Sequence, residues 1–266
     1  MTTAPSTTTS STALDGLLTA LATGAAAVVD LTAPLSSETP ILQLPEPFAN
    51  TIPLSLEKVS DFDADGPFWG WHNIHTGEHT GTHLDAPTHW ATGRDGASVD
   101  QIAPGRLVGP AVVMDFTAEA EADPDLLLGP EHFEAYVAEH GPLPEGAWLL
   151  FRTGWSTYSR DAVAFANADE NGPHTPGVSA AGAQWLAASS ISGFGVETVG
   201  IDAGQAGGLE PPFPVHHFLL GADKYGLTQL QNLDRLPRTG AVIIVAPLPI
   251  VGGTGSPARA LAIVPN

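Results

Sequence analysis

Residues 79–89 read His79-Thr80-Gly81-Thr82-His83-Leu84-Asp85-Ala86-Pro87-Thr88-His89, which puts three imidazoles and one carboxylate within eleven residues. Two neutral His nitrogens, from His79 and His83, and one oxygen of Asp85 suit a borderline divalent ion such as Zn²⁺ or Mn²⁺. The spacing also restricts the backbone. An extended chain advances ~3.3 Å per residue, so His79 and His83 would stand about 13 Å apart on a straight strand. That is nearly too far for two rings to share an ion, so the segment must bend. Gly81 permits the bend because it adopts positive φ without a Cβ clash. Pro87 stiffens the exit and is expected to set His89 apart from the first three groups. A lone His is usually a satisfied core residue, and one H-x-x-x-H pair is a weak signal. His, Gly, His, Asp, Pro and His in this order are much harder to produce by packing. Three ligands with a spare His89 beside them have the anatomy of a catalytic centre, whereas structural zinc sites close with four ligands, often Cys.

The segment resembles the H-x-G-T-H-x-D-x-P-x-H signature of the putative cyclase family, which includes bacterial kynurenine formamidases and isatin hydrolases. The resemblance runs from about Val29 to Val264. It takes in Val28-Val29-Asp30-Leu31, Arg152-Thr153-Gly154-Trp155, Gly200-Ile201-Asp202 and the G-x-P-x-R-A of residues 255–260. It implies an α/β single domain of the swivelling β/β/α type, assembled as homodimers or higher oligomers. It also implies that His79, His83 and Asp85 are the primary metal ligands and that His89 is the catalytic His. In the family an E-x-L-x-N-L segment supplies a ligand to a second metal, and here Gln229 is read as standing in the place of that Glu.

A neutral Gln offers one weak carbonyl oxygen and leaves a second cation poorly balanced. One divalent ion, Mn²⁺ or Zn²⁺, is therefore expected, which looks more like the isatin hydrolase branch. The expected reaction is hydrolytic opening of a small cyclic amide, with hydroxide generated at the metal and His89 relaying the proton. Hydrolysis of an acyclic aryl formamide is the runner-up. A metal-binding protein without catalysis is the rival of another class, and the unused His89 argues against it. His217, within Pro211–Leu220, is a candidate to complete the metal shell or orient the substrate, and Gln229 is a candidate contact of the same kind. Phe68, Trp69 and Trp71, just upstream of the motif, are candidates for an apolar wall against a flat aromatic substrate, or for ordinary core packing.

The remaining composition excludes several classes. The chain has 266 residues, 43% of them apolar, enough for one large domain. Its 29 acidic and 9 basic side chains give a net charge of −20, which repels phosphates and disfavours nucleic acid and anionic membranes as partners. There is no Cys, so disulfides, thiolate metal sites and Cys nucleophiles are all excluded, in keeping with a cytoplasmic location. No Lys or Arg precedes Lys58, so the basic start of a signal peptide is missing, and no run of about 20 apolar residues suggests a membrane span.

Taken in order, residues 1–24 read as a flexible tail with a short helix over 13–24, and residues 25–266 as the hydrolase domain. Residues 41–60 are Pro-rich and irregular. Leu107–Phe116 and Ala147–Phe151 read as strands, and Pro130–His140 as a helix. Residues 156–176 read as loop. Ser179 caps a helix running to Ser189, with Trp185 and Leu186 on its apolar face. Gly193–Ile201 returns as a strand, and the C-terminal stretch is two strands joined by a Gly-rich turn.

Overall fold

The computed structural model describes residues 12–266, so the tail expected over the first eleven residues lies outside the described part. Five helices are labelled α1 (Thr12–Thr23), α2 (Thr117–Ala122), α3 (Pro130–His140), α4 (Ala162–Ala166) and α5 (Ala180–Ala188). The principal strands are β1 (Ala26–Asp30), β2 (Ser55–Asp61), β3 (Gly70–His75), β4 (His83–Asp85) and β5 (Val108–Asp115). They continue with β6 (Trp148–Arg152), β7 (Gly193–Val196), β8 (Tyr225–Leu227), β9 (Ala241–Pro247) and β10 (Gly255–Pro265).

The large sheet runs β1-β10-β9-β5-β6-β7-β8-β4, and β4 pairs back onto β10. Seven strands thus close into a ring, with β1 added along β10. Closure removes the exposed edges that an open sheet would carry. The parallel strands β5, β6 and β7 form one side of the ring. They read as apolar runs because both of their faces are covered.

Alternation along these strands separates two cores. Ala111, Val113, Trp148 and Leu150 face the ring interior, together with Leu84, Tyr225 and Ile243. Val112, Met114, Leu149, Phe151 and Phe194 face the other way, under α3 and α5. There Phe133 and Trp185 stack with ring centroids 4.8 Å apart. Burying each such side chain stabilises the fold by about 1.5–3 kcal/mol. Gly193 is required beside Trp148, since a Cβ there would come within 2.5 Å of the indole.

Several boundaries differ from expectation. The strand expected over Gly193–Ile201 ends at Val196, because the buried Glu197 carboxylate turns back to accept the Thr153 and Gly154 N–H groups, each at 2.6 Å. Residues 156–176, expected as loop, contain α4 and a small pairing of Ala168–Asp169 with Gly172–Pro173. Asp161 begins α4 by accepting from the Val163 and Ala164 amides. The expected Ser179 cap is present, its hydroxyl accepting from Gly182 N–H. Among the described residues, no helix is long and apolar enough to cross a membrane.

The main departure is a separate two-stranded hairpin of β2 and β3. It carries Trp69 and Trp71, with Phe68 at its tip end, and these are 47%, 58% and 83% exposed. Paired only with each other, these strands stand outside the ring. The aromatics therefore do not belong to the core.

Candidate metal centre

β4 is only three residues long and lies between β8 and β10. Asp85 ends it, opposite Gly226 on one side and Gly255 on the other. Neither neighbour could carry a side chain. A Cβ at Gly226 would lie 2.7 Å from Asp85 Oδ2, and one at Gly255 would lie 2.5 Å from His79 Cε1. The two glycines form a cradle in which the carboxylate and the rings sit against bare backbone.

The bend expected at Gly81 is present, with φ of +64°. It folds His79 back toward the strand, so that His79 Nδ1 lies 2.7 Å from Asp85 Oδ1. His83 Nε2 lies 3.3 Å from the same oxygen. The outer nitrogens set the tautomers. His83 Nδ1 lies 2.7 Å from the Gly81 carbonyl, which can only accept, so this nitrogen carries the proton and Nε2 is bare. His79 Nε2 lies 2.9 Å from Thr254 Oγ1, and that hydroxyl donates to Glu78 Oε2 at 2.7 Å. The threonine oxygen must then accept from His79, which leaves Nδ1 bare. With both rings neutral, two imidazole lone pairs therefore converge on one carboxylate oxygen. Acceptors repel at these distances unless a cation or a proton lies between them, so the donor set fits a divalent ion. Glu78 through Thr254, and Gly81, orient the rings from outside, as partners behind ligating His residues do.

His89 is not set apart from this group, contrary to what Pro87 suggested. Pro87–His89 forms a single 3₁₀ turn closed by His89 N–H to Ala86 O at 2.9 Å. The turn stacks the His89 ring on His79 at 3.8 Å. His79, Asp85 and His89 bring ligand atoms within 4.8 Å of one another. Burial pushes the His89 imidazole down to about 3, against the pull of Asp85, so its ring is neutral at ordinary pH. Burial alone would raise Asp85; with protons rather than an ion between the rings and the carboxylate, the charge of His83 and the hydrogen bond of His79 outweigh burial and hold the carboxyl well below the usual carboxylate range.

In the second half of the site the inward-facing ring lies one residue before the one expected. His216, not His217, faces the cluster, its Nε2 standing 3.9 Å from Asp85 Oδ2. A π turn over His216–Leu220 sets this phase. His217 packs on Phe218, and its carbonyl accepts from Thr92. Asp202 Oδ2 lies 2.5 Å from His216 Nδ1, and the same carboxylate accepts the Val215 and His216 amides. Burial would lower His216, but the hydrogen bond and charge of Asp202 prevail and raise it.

Gln229 is likewise displaced. Its Nε2 donates to Pro40 O at 3.0 Å, and its buried Oε1 has no hydrogen-bond partner among the described residues. Aligning Leu230, Asn232 and Leu233 with L-x-N-L puts the Glu of the six-residue pattern at Thr228. Thr228 is fully buried, with Oγ1 2.8 Å from His83 Nδ1.

The cluster opens into a cavity of about 200 Å³ walled by Leu42, Leu44, Ala49 and Val199. Trp90, the residue after His89, lies with its ring 4.7 Å from His216. These residues, rather than Phe68, Trp69 and Trp71, supply the apolar surround. A larger cavity of about 390 Å³ beside Thr153, Trp155 and Tyr158 contains none of these His or Asp residues, so chemistry rather than size makes the smaller one the candidate site.

Its relatives make the chain a hydrolase acting on amide C–N bonds, and its cluster of His and Asp suits a divalent ion. Residues 29–203 match the putative cyclase family, and the chain belongs to that family. It is 48% identical to an isatin hydrolase of Roseibium aggregatum over 257 residues, covering 96% of this chain and 98% of that protein. A kynurenine formamidase of Salinibacter ruber is 31% identical over 189 residues, covering 69% of this chain and 74% of that one. The fold superposes on the crystal structure of an isatin hydrolase bound to the product analogue thioisatinate with a TM-score of 0.94 at 48% identity, covering 97% and 100% of the two chains. A potential metal-dependent hydrolase with cyclase activity is more distant, with a TM-score of 0.65 at 26% identity over 91% of this chain and 100% of the other.

Proposed function

We propose that the protein hydrolyses the amide C–N bond of a small cyclic aryl amide, an isatin-like lactam, with one Mn²⁺ or Zn²⁺ held by His79, His83 and Asp85. The convergence of His79 Nδ1 and His83 Nε2 on Asp85 Oδ1, at 2.7 and 3.3 Å, is the observation that carries this reading. When bound, the ion supplies Lewis acidity to the carbonyl and lowers the pKa of water.

The chain's own residues do the rest. Leu42, Leu44, Ala49 and Val199 bury the aryl ring and exclude bulk water. His89, kept neutral by burial, takes a proton from the attacking water at its bare nitrogen and returns it to the lactam nitrogen as the C–N bond breaks. Water oxygen ends on the carbonyl carbon, the nitrogen leaves as an amine, and the new carboxyl loses its proton to solvent. His216, oriented by Asp202, turns its Nε2 toward the cluster and hydrogen-bonds the developing carboxylate.

A lactam is favoured over a formamide by the 48% identity to an isatin hydrolase against 31% to a kynurenine formamidase. The test is a comparison of kcat/KM on isatin and on N-formylkynurenine with Mn²⁺- and Zn²⁺-loaded protein. Preference for the formamide would refute the assignment. We also read the exposed hairpin aromatics Phe68, Trp69 and Trp71 as a contact between copies in a homodimer or higher oligomer. A monomer by light scattering at micromolar concentration would exclude it.

A further inference from the structure

The loop over residues 40–51 does more than close the metal cavity. Behind it lies a second cavity of about 200 Å³, lined by Pro40, Ile41, Phe165, Ala166, Ala168 and Thr175 among others. No acidic, basic or His residue lines it. Leu42 and Val199 line both cavities, so these two side chains form the partition between a chamber that holds the chemistry and one that is almost wholly apolar.

The partition is tied down on each side. Asn50 Oδ1 accepts from Leu44 N–H at 2.7 Å, and its Nδ2 donates to Leu44 O at 3.0 Å, closing the far end of the loop. At the near end Gln229 donates to Pro40 O. The backbone N–H of Gln229 also donates to Thr198 O at 3.0 Å, next to Val199. Its φ of 52° lets one residue face both ways. Gln229 thus joins the segment carrying Leu42 to the segment carrying Val199.

We propose that the second cavity is a substituent subsite, which takes an apolar group carried on the aryl ring of the substrate at the end away from the scissile amide. Leu42 and Val199 are the gate that sets how large that group can be. The inference rests on the lactam-opening reading of the neighbouring chamber, and it deepens that reading. Each methylene transferred into an apolar chamber contributes about 0.8 kcal/mol, or roughly fourfold. Discrimination by an apolar pocket is on the order of 10–200-fold.

The experiment measures kcat/KM on isatin and on isatin carrying a propyl group on its benzo ring, in metal-loaded wild type, Leu42→Ala, Val199→Ala and Ala166→Phe. Opening the gate should raise the ratio of substituted to parent substrate by about tenfold. Filling the chamber through Ala166→Phe should lower that ratio by a similar factor, and using the ratio cancels general losses. Ratios that stay within about twofold of wild type in all folded, metal-loaded variants would overturn the subsite. If neither lactam is opened, the activity reading fails by itself. Calorimetric binding of benzoate against 4-propylbenzoate then tests the chamber. Tighter binding of the propyl probe that is lost in Ala166→Phe supports the subsite, and equal binding of the two probes refutes it.

Discussion

Thr228 and His83 face each other across the end of β4, with the threonine Oγ1 2.8 Å from His83 Nδ1. Where an acidic residue at this position could help hold a second ion, the hydroxyl contributes no charge. The wild type should therefore hold close to one divalent ion per chain, even in excess metal. Thr228→Glu restores a carboxylate beside His83, and a second ion should bind at moderate metal concentration. Elemental analysis and titration calorimetry on both proteins check this. Two ions in the wild type would remove the charge argument.

His83 and His89 separate by their effects. His83→Ala removes a bare nitrogen from the Asp85 cluster and should reduce bound metal to a small fraction of wild type. His89→Ala should keep its metal but lose turnover by roughly 10²-fold or more, the range expected of a positioned proton relay. Metal analysis beside kcat distinguishes the two. A His89→Ala protein that loses its ion instead would make His89 a ligand, a role its stacking on His79 also allows.

What the sequence reveals of the fold and site depends on sequence distance. The apolar runs that became β5 and β6 and the helix over Pro130–His140 could be read locally, because burial on both faces and a Pro–Gly frame leave marks in composition. The cluster could be read because His79, His83, Asp85 and His89 are contiguous, with Gly81 marking the bend. The partners from distant segments each lie one residue from the expected position. At His216–His217 a π turn decides which ring faces inward, and two adjacent imidazoles give no sign of that phase. At Thr228–Gln229 the register lay in Leu230, Asn232 and Leu233, and counting from them would have found the threonine. The aromatics at residues 68–71 resemble a pocket wall in composition alone, and only strand pairing reveals a hairpin outside the ring.

Asp202 accepts two backbone amides and the ring of His216, so it both builds the π turn and favours the protonated imidazole. Asp202→Asn keeps the shape but removes the charge that holds His216 raised. Loss of such an orienting partner typically costs about 10–100-fold in activity or metal affinity. We expect kcat/KM to fall in that range. Asp202→Ala should in addition lower Tm, because it leaves the Val215 and His216 amides without their acceptor. An Asn variant at wild-type activity would show that the negative charge contributes nothing.

Lys224 gives a pH test independent of the metal. It is 8% exposed and caps the end of α5, its Nζ donating to Leu186 O at 2.9 Å and to Ser189 O. Burial first, and then the charge of Arg106, push its ammonium down to about 8. An unfolded chain keeps this proton until about 10.4. Between those values the unfolded state binds more protons than the folded state, so stability rises with pH. Below about 8 both states are charged and the full penalty of burying the ammonium applies. That penalty is relieved progressively as pH rises toward 10.4, by up to about 3 kcal/mol on the full difference between the two values. The check is urea unfolding of wild type and Lys224→Met at pH 7, 8, 9 and 10. Subtraction removes the contributions of other titrating groups and of the lost carbonyl contacts. The stability of wild type relative to the Met variant should climb across this window, and a flat difference would show that Lys224 titrates like a lysine in water.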